Sequence, residues 1–482
     1  MGIGRMRLRR AAGLGIGRPV MRVFRSIGAA AAICALLLGC ASVYNLPANV
    51  PLAGASVDPD AGINFNDPAE LDELLIGFSF SGGGTRAAAF SFGVLEELNR
   101  MPVRGASDTM LDRIDYISGV SGGSVTAAYF GLKKRAALSD FRERFLVQNA
   151  EAELTTQLSL GTLGRALGGG VNDSKAFTAW LDAHLFDHAT FGGLRHHSSL
   201  RVWLNASDIY NRVPFVFTDT TFSAICSDIT KYPLSQAVAA SAAVPLAFAP
   251  AVVQAFPGTC KEPLPPWVAR VARNGNASPM VSAYANAILR YRDGAVPFIK
   301  LMDGGLVDNY GVAALTIVRE SSDTPYGPMS PLQAVRLRRA VLMVVDAKNG
   351  LSGNWINTVE GPSGVDLIKA AVDTTIDASV GSSYTAFDRT MKDWQASLIR
   401  WRCGLSAADR ARYGAKPGWR CNDLQFFVGR LGFDQLEPAR AAALEAVPTR
   451  FHLPQAQVDE VIAAGRDTLR ASPVFRAFAS GI

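Results

Sequence analysis

Residues 74–84 read Leu-Leu-Ile-Gly-Phe-Ser-Phe-Ser-Gly-Gly-Gly, an apolar run that ends in three glycines. A short apolar run bounded by glycine is typical of a buried strand, and we expect a helix to follow from Thr85 to Leu98. The same order recurs at Ile114 to Ser118, which precede a glycine turn and a helical stretch from Gly122 to Leu132. Strands that alternate with helices predict an α/β fold with a largely parallel central sheet flanked by helices.

Further elements are predicted downstream of these two units. Ala340 to Val345 is an almost unbroken apolar run, as expected of a strand buried on both faces. The other predicted strands are Leu200–Ala206, Pro214–Thr218 and Leu424–Val428, and helical patterns lie around 365–380, 436–446 and 455–471. The Pro- and Ala-rich segment 256–290 is interpreted as an insertion or a lid. Ligands of parallel sheets bind at the carboxyl ends of the strands, where both glycine turns lie.

The second glycine turn, Gly119-Val120-Ser121-Gly122-Gly123, has the spacing of a nucleophile elbow. A sharp turn from strand to helix needs glycines such as Gly119 and Gly123 on either side of the serine, because a Cβ would clash there. The turn then presents the serine hydroxyl at a helix N-terminus. We therefore predict Ser121 as a nucleophile, and a purely structural glycine–serine loop is the alternative.

The first glycine turn, Ser81 to Arg86, has the composition of an oxyanion hole. Successive glycines let backbone N–H groups approach the oxygen on which negative charge develops, and the dipole of the following helix favours an anion there. A phosphate cradle is a competing interpretation, but the G-x-x-x-x-G-K-[ST] pattern is not present and Arg86 stands in a different register from the expected lysine. A structural glycine turn also stays open.

A third motif, Asp303-Gly304-Gly305, follows the apolar residues 298–302. An aspartate at a strand end beside two glycines can be held close to a serine from another strand end, although D-G-G is also ordinary turn chemistry. A triad in the order serine, acid, histidine would leave His452 as the histidine. The other histidines are His184, His188, His196 and His197, and no motif surrounds them.

These three motifs, in this order, resemble the patatin-like phospholipase family over residues 74–312. The segment Ala240 to Pro245 is also similar to a small-residue segment of that family. The resemblance implies a three-layer fold in which Ser121 attacks a lipid ester and Asp303 accepts its proton. It further implies a hydrolase of the phospholipase A or lysophospholipase type that needs no metal and no cofactor. The implied oxyanion hole consists of Gly82, Gly83, Gly84 and Arg86, the last supporting the loop or its charge.

Two other classes of function use the same scaffold. One is a non-catalytic lipoprotein that binds acyl chains, and the other is a periplasmic acyltransferase or peptidase. Intact Ser121 and Asp303 favour an enzyme over a binding protein, because a degenerate enzyme usually loses one of the two.

The N-terminus is interpreted as an export signal. Residues 1–39 contain seven arginines and no acidic residue, and an apolar run from Ile27 to Leu38 precedes Cys40. This arrangement resembles the lipobox of bacterial lipoproteins, so we predict a signal peptide over 1–39, with Met21 as a possible true start, and a lipidated Cys40. An uncleaved signal anchor is the alternative. Ala41 and Ser42 carry no acidic retention signal, so we expect a lipid-anchored protein of the outer membrane of a Gram-negative bacterium.

The segment after Cys40 predicts a tether over residues 40–72, because it is rich in proline and aspartate. The acyl hydrolase domain is expected over 73–482, with the C-terminal part packed on the same domain. The sequence leaves the oligomeric state open.

Charge and cysteines restrict the partners and the compartment. The net charge is +6, but without the leader 41 basic residues face 42 acidic ones, so net charge gives no support for nucleic-acid binding. The cysteines Cys226, Cys260, Cys403 and Cys421 allow three pairings or four free thiols. Pairs 226–260 and 403–421 close the most modest loops, and no C-x-x-C spacing indicates a metal site.

Overall fold

The structure is a computed structural model that describes residues 43–52, 73–103, 107–155, 169–196, 200–261, 263–273, 277–351, 353–362, 364–480 and 482. The predicted signal peptide, Cys40 and most of the predicted tether lie outside these residues, so the predictions made for them stay predictions. In the part that is described, none of the helices combines the length and the apolar character needed to span a bilayer.

A central sheet of eight strands organises the described residues. The strands are β1 Leu74–Phe80, β2 Tyr116–Val120, β3 Arg201–Asp208, β4 Val213–Val216, β5 Ala251–Gln254, β6 Phe298–Asp303, β7 Arg339–Asp346 and β8 Gln425–Gly432. Their order is β5-β6-β3-β2-β1-β7-β8, and β4 pairs with β3. Strands β3, β2, β1, β7 and β8 run parallel, whereas β4 and β6 run antiparallel to β3, and β5 runs antiparallel to β6. The predicted α/β fold with a largely parallel sheet is confirmed.

Helices cover both faces of the sheet because its central strands are apolar on both faces. The α-helices are α1 Gly84–Asn99, α2 Gly122–Lys133, α3 Ala137–Phe141, α4 Lys175–Leu181, α5 Phe191–His196, α6 Asp219–Ala224, α7 Leu234–Ser241, α8 Pro266–Arg273, α9 Pro279–Arg292, α10 Gly305–Asp308, α11 Ala313–Ser321, α12 Pro331–Arg336, α13 Val365–Cys403, α14 Ala407–Arg412, α15 Pro438–Glu445, α16 Gln455–Ala471 and α17 Pro473–Ala479. Short 3-10 helices span Met110–Arg113, Lys134–Ala136, Ile229–Lys231, Asn354–Asn357 and Phe433–Gln435, and π-helices span Arg142–Leu146 and Asp182–Phe186.

The C-terminal third of the chain belongs to the same folded unit. Strand β8 extends the sheet beside β7, and α16 packs on α1 through two glycines. A Cβ on Gly93 would lie 2.1 Å from the carbonyl oxygen of Ile462, and one on Gly465 would lie 2.2 Å from that of Phe90. The two helices therefore cross at backbone contact, which fixes the position of α1 and of the glycine loop that precedes it.

Helix α13 is much longer than the pattern at 365–380 predicts. Its apolar periodicity is interrupted by Asp, Thr and Ser residues in the middle of the helix, so a pattern read from the sequence stops early. The second half is nevertheless held by a stripe of buried side chains at helical spacing, which are Val380, Phe387, Met391, Trp394 and Leu398. The segment 256–290, interpreted from the sequence as an insertion or a lid, contains α8 and most of α9.

Residues 43–52 contradict part of the predicted tether. Asn45 Nδ2 donates a hydrogen bond of 3.1 Å to the carbonyl oxygen of Ala249, and the Leu52 N–H donates one of 2.8 Å to that of Cys226. Leu52 is buried. No pattern in the sequence predicts this docking, because the contacts depend largely on polar side chains and backbone groups rather than on an apolar pattern.

The predicted disulfides are confirmed. Cys226 bonds to Cys260 and Cys403 bonds to Cys421. Both bonds close short loops, of 34 and 18 residues in sequence separation. Of the three possible pairings, the structure has the one with the smallest loops.

Candidate active site

The register of the sheet brings two of the predicted motifs to one level. Val120, the last residue of β2, pairs with Asn205 of β3, and Asp303, the last residue of β6, pairs with Ala206. Strand β3 lies between β2 and β6. Ser121 and Asp303 therefore leave the sheet at the same height on either side of β3, although they are far apart in the sequence.

The elbow at Ser121 has the backbone that its glycines predict. Ser121 has φ 51° and ψ −120°, a left-handed conformation that is uncommon for a residue with a side chain. A Cβ on Gly122 would lie 1.9 Å from the carbonyl oxygen of Gly84, and one on Gly123 would lie 2.5 Å from that of Phe80. The elbow thus rests directly on the backbone of the first glycine turn, which only glycine permits.

The side chain of Ser121 lies close enough to the carboxylate of Asp303 to favour its ionised form. This carboxylate accepts a hydrogen bond of 2.8 Å from the N–H of Gly305. Asp303 is buried, with 6% of its surface exposed, and burial raises the pKa of its carboxyl from 3.8 to about 6 against the opposing effects of the Gly305 N–H and the Ser121 side chain. Near neutral pH the group is an ionised carboxylate with more affinity for a proton than a carboxylate in water has.

Ser241, at the end of α7, links the two halves of this pair. Its hydroxyl accepts a hydrogen bond of 2.8 Å from the N–H of Ser121 and donates one of 2.6 Å to the carbonyl oxygen of Asn205. Its own carbonyl oxygen accepts a hydrogen bond of 3.1 Å from the N–H of Gly304. One buried serine therefore fixes the positions of the elbow, of strand β3 and of the turn Asp303-Gly304-Gly305, which we call the aspartate turn, relative to one another.

The first glycine turn offers two free donors rather than three. The N–H of Gly82 donates a hydrogen bond of 3.2 Å to the carbonyl oxygen of Asn309, so Gly82 is removed from the predicted set of oxyanion donors. Gly83 and Gly84 have φ 139° and 59°, and their N–H groups donate to no acceptor among the described residues. Both lie at the N-terminus of α1, where the helix dipole favours negative charge.

Arg86 supports this loop from behind and does not donate into it. Its guanidinium is buried and donates to the carbonyl oxygens of Ala347, at 3.0 Å, and of Val447, and also to the side chains of Asn349 and Thr449. Burial lowers the pKa of Arg86 to about 10. Of the two roles predicted for Arg86, the contacts fit support of the loop.

The histidines whose side chains are described lie elsewhere. His184 stacks on Trp180 at 4.0 Å, and His452 Nδ1 lies 3.5 Å from the carbonyl oxygen of Gln148. His188 is exposed beside Asp182, and the side chains of His196 and His197 lie outside the described part. Within the described ranges, no group of three or more histidine, cysteine or acidic side chains is arranged to hold a metal ion.

Asn309 is a site residue that was not predicted from the sequence. Its Oδ1 lies where side chains on two site glycines would stand, 2.4 Å from a Cβ on Gly82 and 2.7 Å from one on Gly305. It therefore lies between the first glycine turn and the aspartate turn. The only signal in the sequence was its place six residues after Asp303, which became meaningful once the fold brought the two turns together.

A family model described as "Patatin-like phospholipase" matches residues 78–316. Among solved structures, the chain is similar to human GIVD cytosolic phospholipase A2, at 11% identity and a TM-score of 0.39, over 88% of this chain and 65% of that one. It is also similar to VipD from Legionella pneumophila, at 12% identity and a TM-score of 0.26, over 82% and 67% of the two chains. The chain thus spans less than two thirds of the human protein's chain. No protein of curated function matches. The family match confirms the predicted resemblance: residues 78–316 of this chain form a patatin-like phospholipase domain.

Proposed function

We propose that the protein is a serine acyl hydrolase that cleaves ester bonds of phospholipids or related lipids through Ser121 and Asp303. Membership of the patatin-like phospholipase family supports a lipid acyl hydrolase in general. The observation that carries the more specific proposal is the proximity of the Ser121 side chain to the buried Asp303 carboxylate, at one level on either side of β3. The amides of Gly83 and Gly84, which have no acceptor in the described part of the chain, lie on the loop that contacts the elbow.

In the first half of the reaction, Ser121 Oγ attacks the carbonyl carbon of the ester while its proton moves to the Asp303 carboxylate. The oxyanion that forms accepts hydrogen bonds from the N–H groups of Gly83 and Gly84. One such donor typically contributes about 10²–10³ in rate. When the intermediate collapses, the bond to the alcohol breaks, the proton on Asp303 passes to the alcohol oxygen, and the acyl group stays on Ser121.

In the second half, water releases the acyl group. Asp303 takes a proton from a water molecule, whose oxygen attacks the acyl carbon. The second oxyanion uses the same two amides, and its collapse returns the proton from Asp303 to Ser121 Oγ. A free carboxylate is a weak base for these steps, so the burial that raises the pKa of Asp303 to about 6 favours both of them.

Mass spectrometry of phospholipid incubated with the purified protein tests this proposal. The wild type is expected to release fatty acid and lysophospholipid, or to consume lysophospholipid, and Ser121→Ala is expected to release neither. Ser139→Ala is a matched control, because among the described residues the hydroxyl of that exposed serine bonds only to the carbonyl oxygen of Ala136. Equal product from wild type and Ser121→Ala would refute the assigned nucleophile.

A phosphonate probe and other substrates separate the remaining classes. Labelling of Ser121 by a serine-reactive phosphonate is expected of an enzyme and would not occur in a protein that only binds acyl chains. Release of product from peptides but not from lipid esters would identify a peptidase instead. Transfer of the acyl group to an added alcohol in preference to water would identify an acyltransferase.

We also propose that Cys40 carries a lipid anchor in the cell envelope, as its lipobox-like context predicts. The disulfides Cys226–Cys260 and Cys403–Cys421 support export, since such bonds persist in oxidising compartments. Metabolic labelling with a tagged palmitate is expected to mark the wild type in its bacterial host and to spare Cys40→Ala. Labelling of both proteins to the same extent would exclude this anchor.

A further inference from the structure

The exposed apolar side chains of the protein are concentrated in one segment. Among the described residues, eleven large apolar side chains are exposed, and five of them lie between positions 351 and 367. These five are Leu351, Trp355, Ile356, Val359 and Leu367. Leu351 and Val359 are fully exposed and Ile356 is 72% exposed. We call residues 348–379 the apolar arm, of which positions 352 and 363 lie outside the described part.

The first four turns of α13 continue the arm without a buried residue. Between Asp366 and Ser379 every side chain is exposed or half-buried, whereas the stripe that holds the second half of the helix begins at Val380. At about 1.5 Å per residue, this part extends roughly 20 Å. Ile368, Val372 and Ile376 are half-buried at helical spacing in line with Val380, so one face of this part is partly packed and its other apolar side chains are open to a partner.

Both ends of the arm contact the candidate active site. At the beginning, the Asn349 side chain accepts a hydrogen bond from Arg86 behind the glycine loop, two positions before Leu351. At the end, the Ser379 hydroxyl donates a hydrogen bond of 3.4 Å to the carbonyl oxygen of Gly305 in the aspartate turn. The arm is therefore joined at one end to the residue that supports the glycine loop from behind, and at the other end to the turn that contains Asp303.

The charges of the arm indicate which kind of partner it accepts. Its two basic residues are Lys348 and Lys369, and its four acidic residues are Glu360, Asp366, Asp373 and Asp377. Lys348 lies 3.5 Å from Asp377, which offsets its charge. The arm thus carries a net charge of −2, which an anionic surface would repel.

We propose that the protein binds the surface of its lipid substrate through the apolar arm. The arm binds neutral or zwitterionic lipid surfaces in preference to anionic ones. This inference rests on the proposed function, because a lipid hydrolase must meet its substrate as an aggregate. An apolar surface with an aromatic side chain and few basic groups suits insertion among zwitterionic head groups. Its contacts with the glycine loop and the aspartate turn would place the inserted arm beside Ser121.

Vesicle flotation of the full chain tests the proposal. Every protein carries Ser121→Ala, so that no lipid is consumed, and Cys40→Ala, so that no anchor forms. The test variant adds Leu351→Ser and Val359→Ser. The matched control adds Tyr44→Ser and Leu46→Ser, which remove two side chains that are 69% and 70% exposed outside the arm.

On phosphatidylcholine vesicles the test variant is expected to bind at least about tenfold more weakly than its parent, and the control variant to bind like its parent. Equal mixtures of phosphatidylcholine and phosphatidylglycerol are expected to bind the parent less well than phosphatidylcholine alone. Equal binding of test variant and parent, or stronger binding to the anionic mixture, would overturn the proposal.

Two further measurements keep the outcomes distinct. If size-exclusion chromatography showed a dimer of the parent that the test variant loses, with no vesicle binding by either, the arm would cover a second copy of this chain and the proposal would fail. Circular dichroism must show equal unfolding midpoints for the test variant and its parent. Failure of the proposed function would instead appear as a wild type that releases no fatty acid, which leaves the vesicle binding unaffected.

Discussion

Asp303→Asn is expected to abolish hydrolysis and, at the same time, to stabilise the fold at neutral pH. Burial raises the pKa of the Asp303 carboxyl from 3.8 to about 6, so the folded protein keeps a proton there that the unfolded chain loses between these two values. Stability therefore falls as the pH rises from about 4 through about 6. Since one pKa unit corresponds to about 1.4 kcal/mol, the ionised carboxylate costs on the order of 3 kcal/mol above pH 7.

The asparagine carries no charge and can keep both neighbours. Its Oδ1 can accept from the N–H of Gly305 as the carboxylate does, and its Nδ2 can donate to Ser121 Oγ. Urea unfolding at about pH 4 and about pH 7.5 measures the effect. We expect little difference between Asp303→Asn and wild type at the lower pH. At the higher pH the variant should be more stable, by up to about 3 kcal/mol.

Ser121→Ala is the matched control for this experiment. It also removes the nucleophile, but it retains the buried carboxylate, and it removes a hydroxyl that lowers the pKa of Asp303. It should therefore show no gain in stability at about pH 7.5. If Asp303→Asn showed the same pH dependence as the wild type, or kept its turnover, the reasoning about a buried general base would be refuted.

Three other perturbations test the remaining parts of the site. Because Asp303 must be ionised to accept a proton, kcat/KM is expected to fall about tenfold per pH unit below about pH 6, measured on a soluble ester. Ser241→Ala removes the hydroxyl that holds the Ser121 amide, so kcat should fall roughly tenfold to a hundredfold with KM little changed, measured by steady-state kinetics. Gly122→Ala would place a Cβ 1.9 Å from the carbonyl oxygen of Gly84, and should lower both the unfolding midpoint and activity in thermal and kinetic assays.

Each of these expectations has a result that contradicts it. A flat pH profile down to about pH 4 would mean that another group accepts the proton. A Ser241→Ala variant in which KM alone rises would place Ser241 in substrate binding instead. For Gly122→Ala the matched control is Gly193→Ala, because a Cβ on Gly193 would have no heavy atom within 4 Å. Equal stability of these two variants would show that the elbow tolerates a side chain.

Local patterns in the sequence were sufficient for the fold class and for the three motifs. Apolar runs that end in glycine, at Leu74–Phe80 and before Ser121, predict strand, turn and helix because each pattern acts through the backbone of neighbouring residues. The small loops closed by the two disulfides are likewise a matter of sequence separation. In the long helix α13, packing continues the helix beyond the apolar pattern, so the end predicted from the sequence was too early.

Only the tertiary structure brought Ser121 and Asp303 to the same height on either side of β3, because strand register and order depend on contacts between distant segments. The raised pKa of Asp303 has the same origin, since desolvation exists only once other residues cover the carboxyl. Packing also decided that the Gly82 amide is taken by Asn309 and that Arg86 faces away from the hole. The sequence by itself determined which groups could react, and the folded chain decided which of them meet.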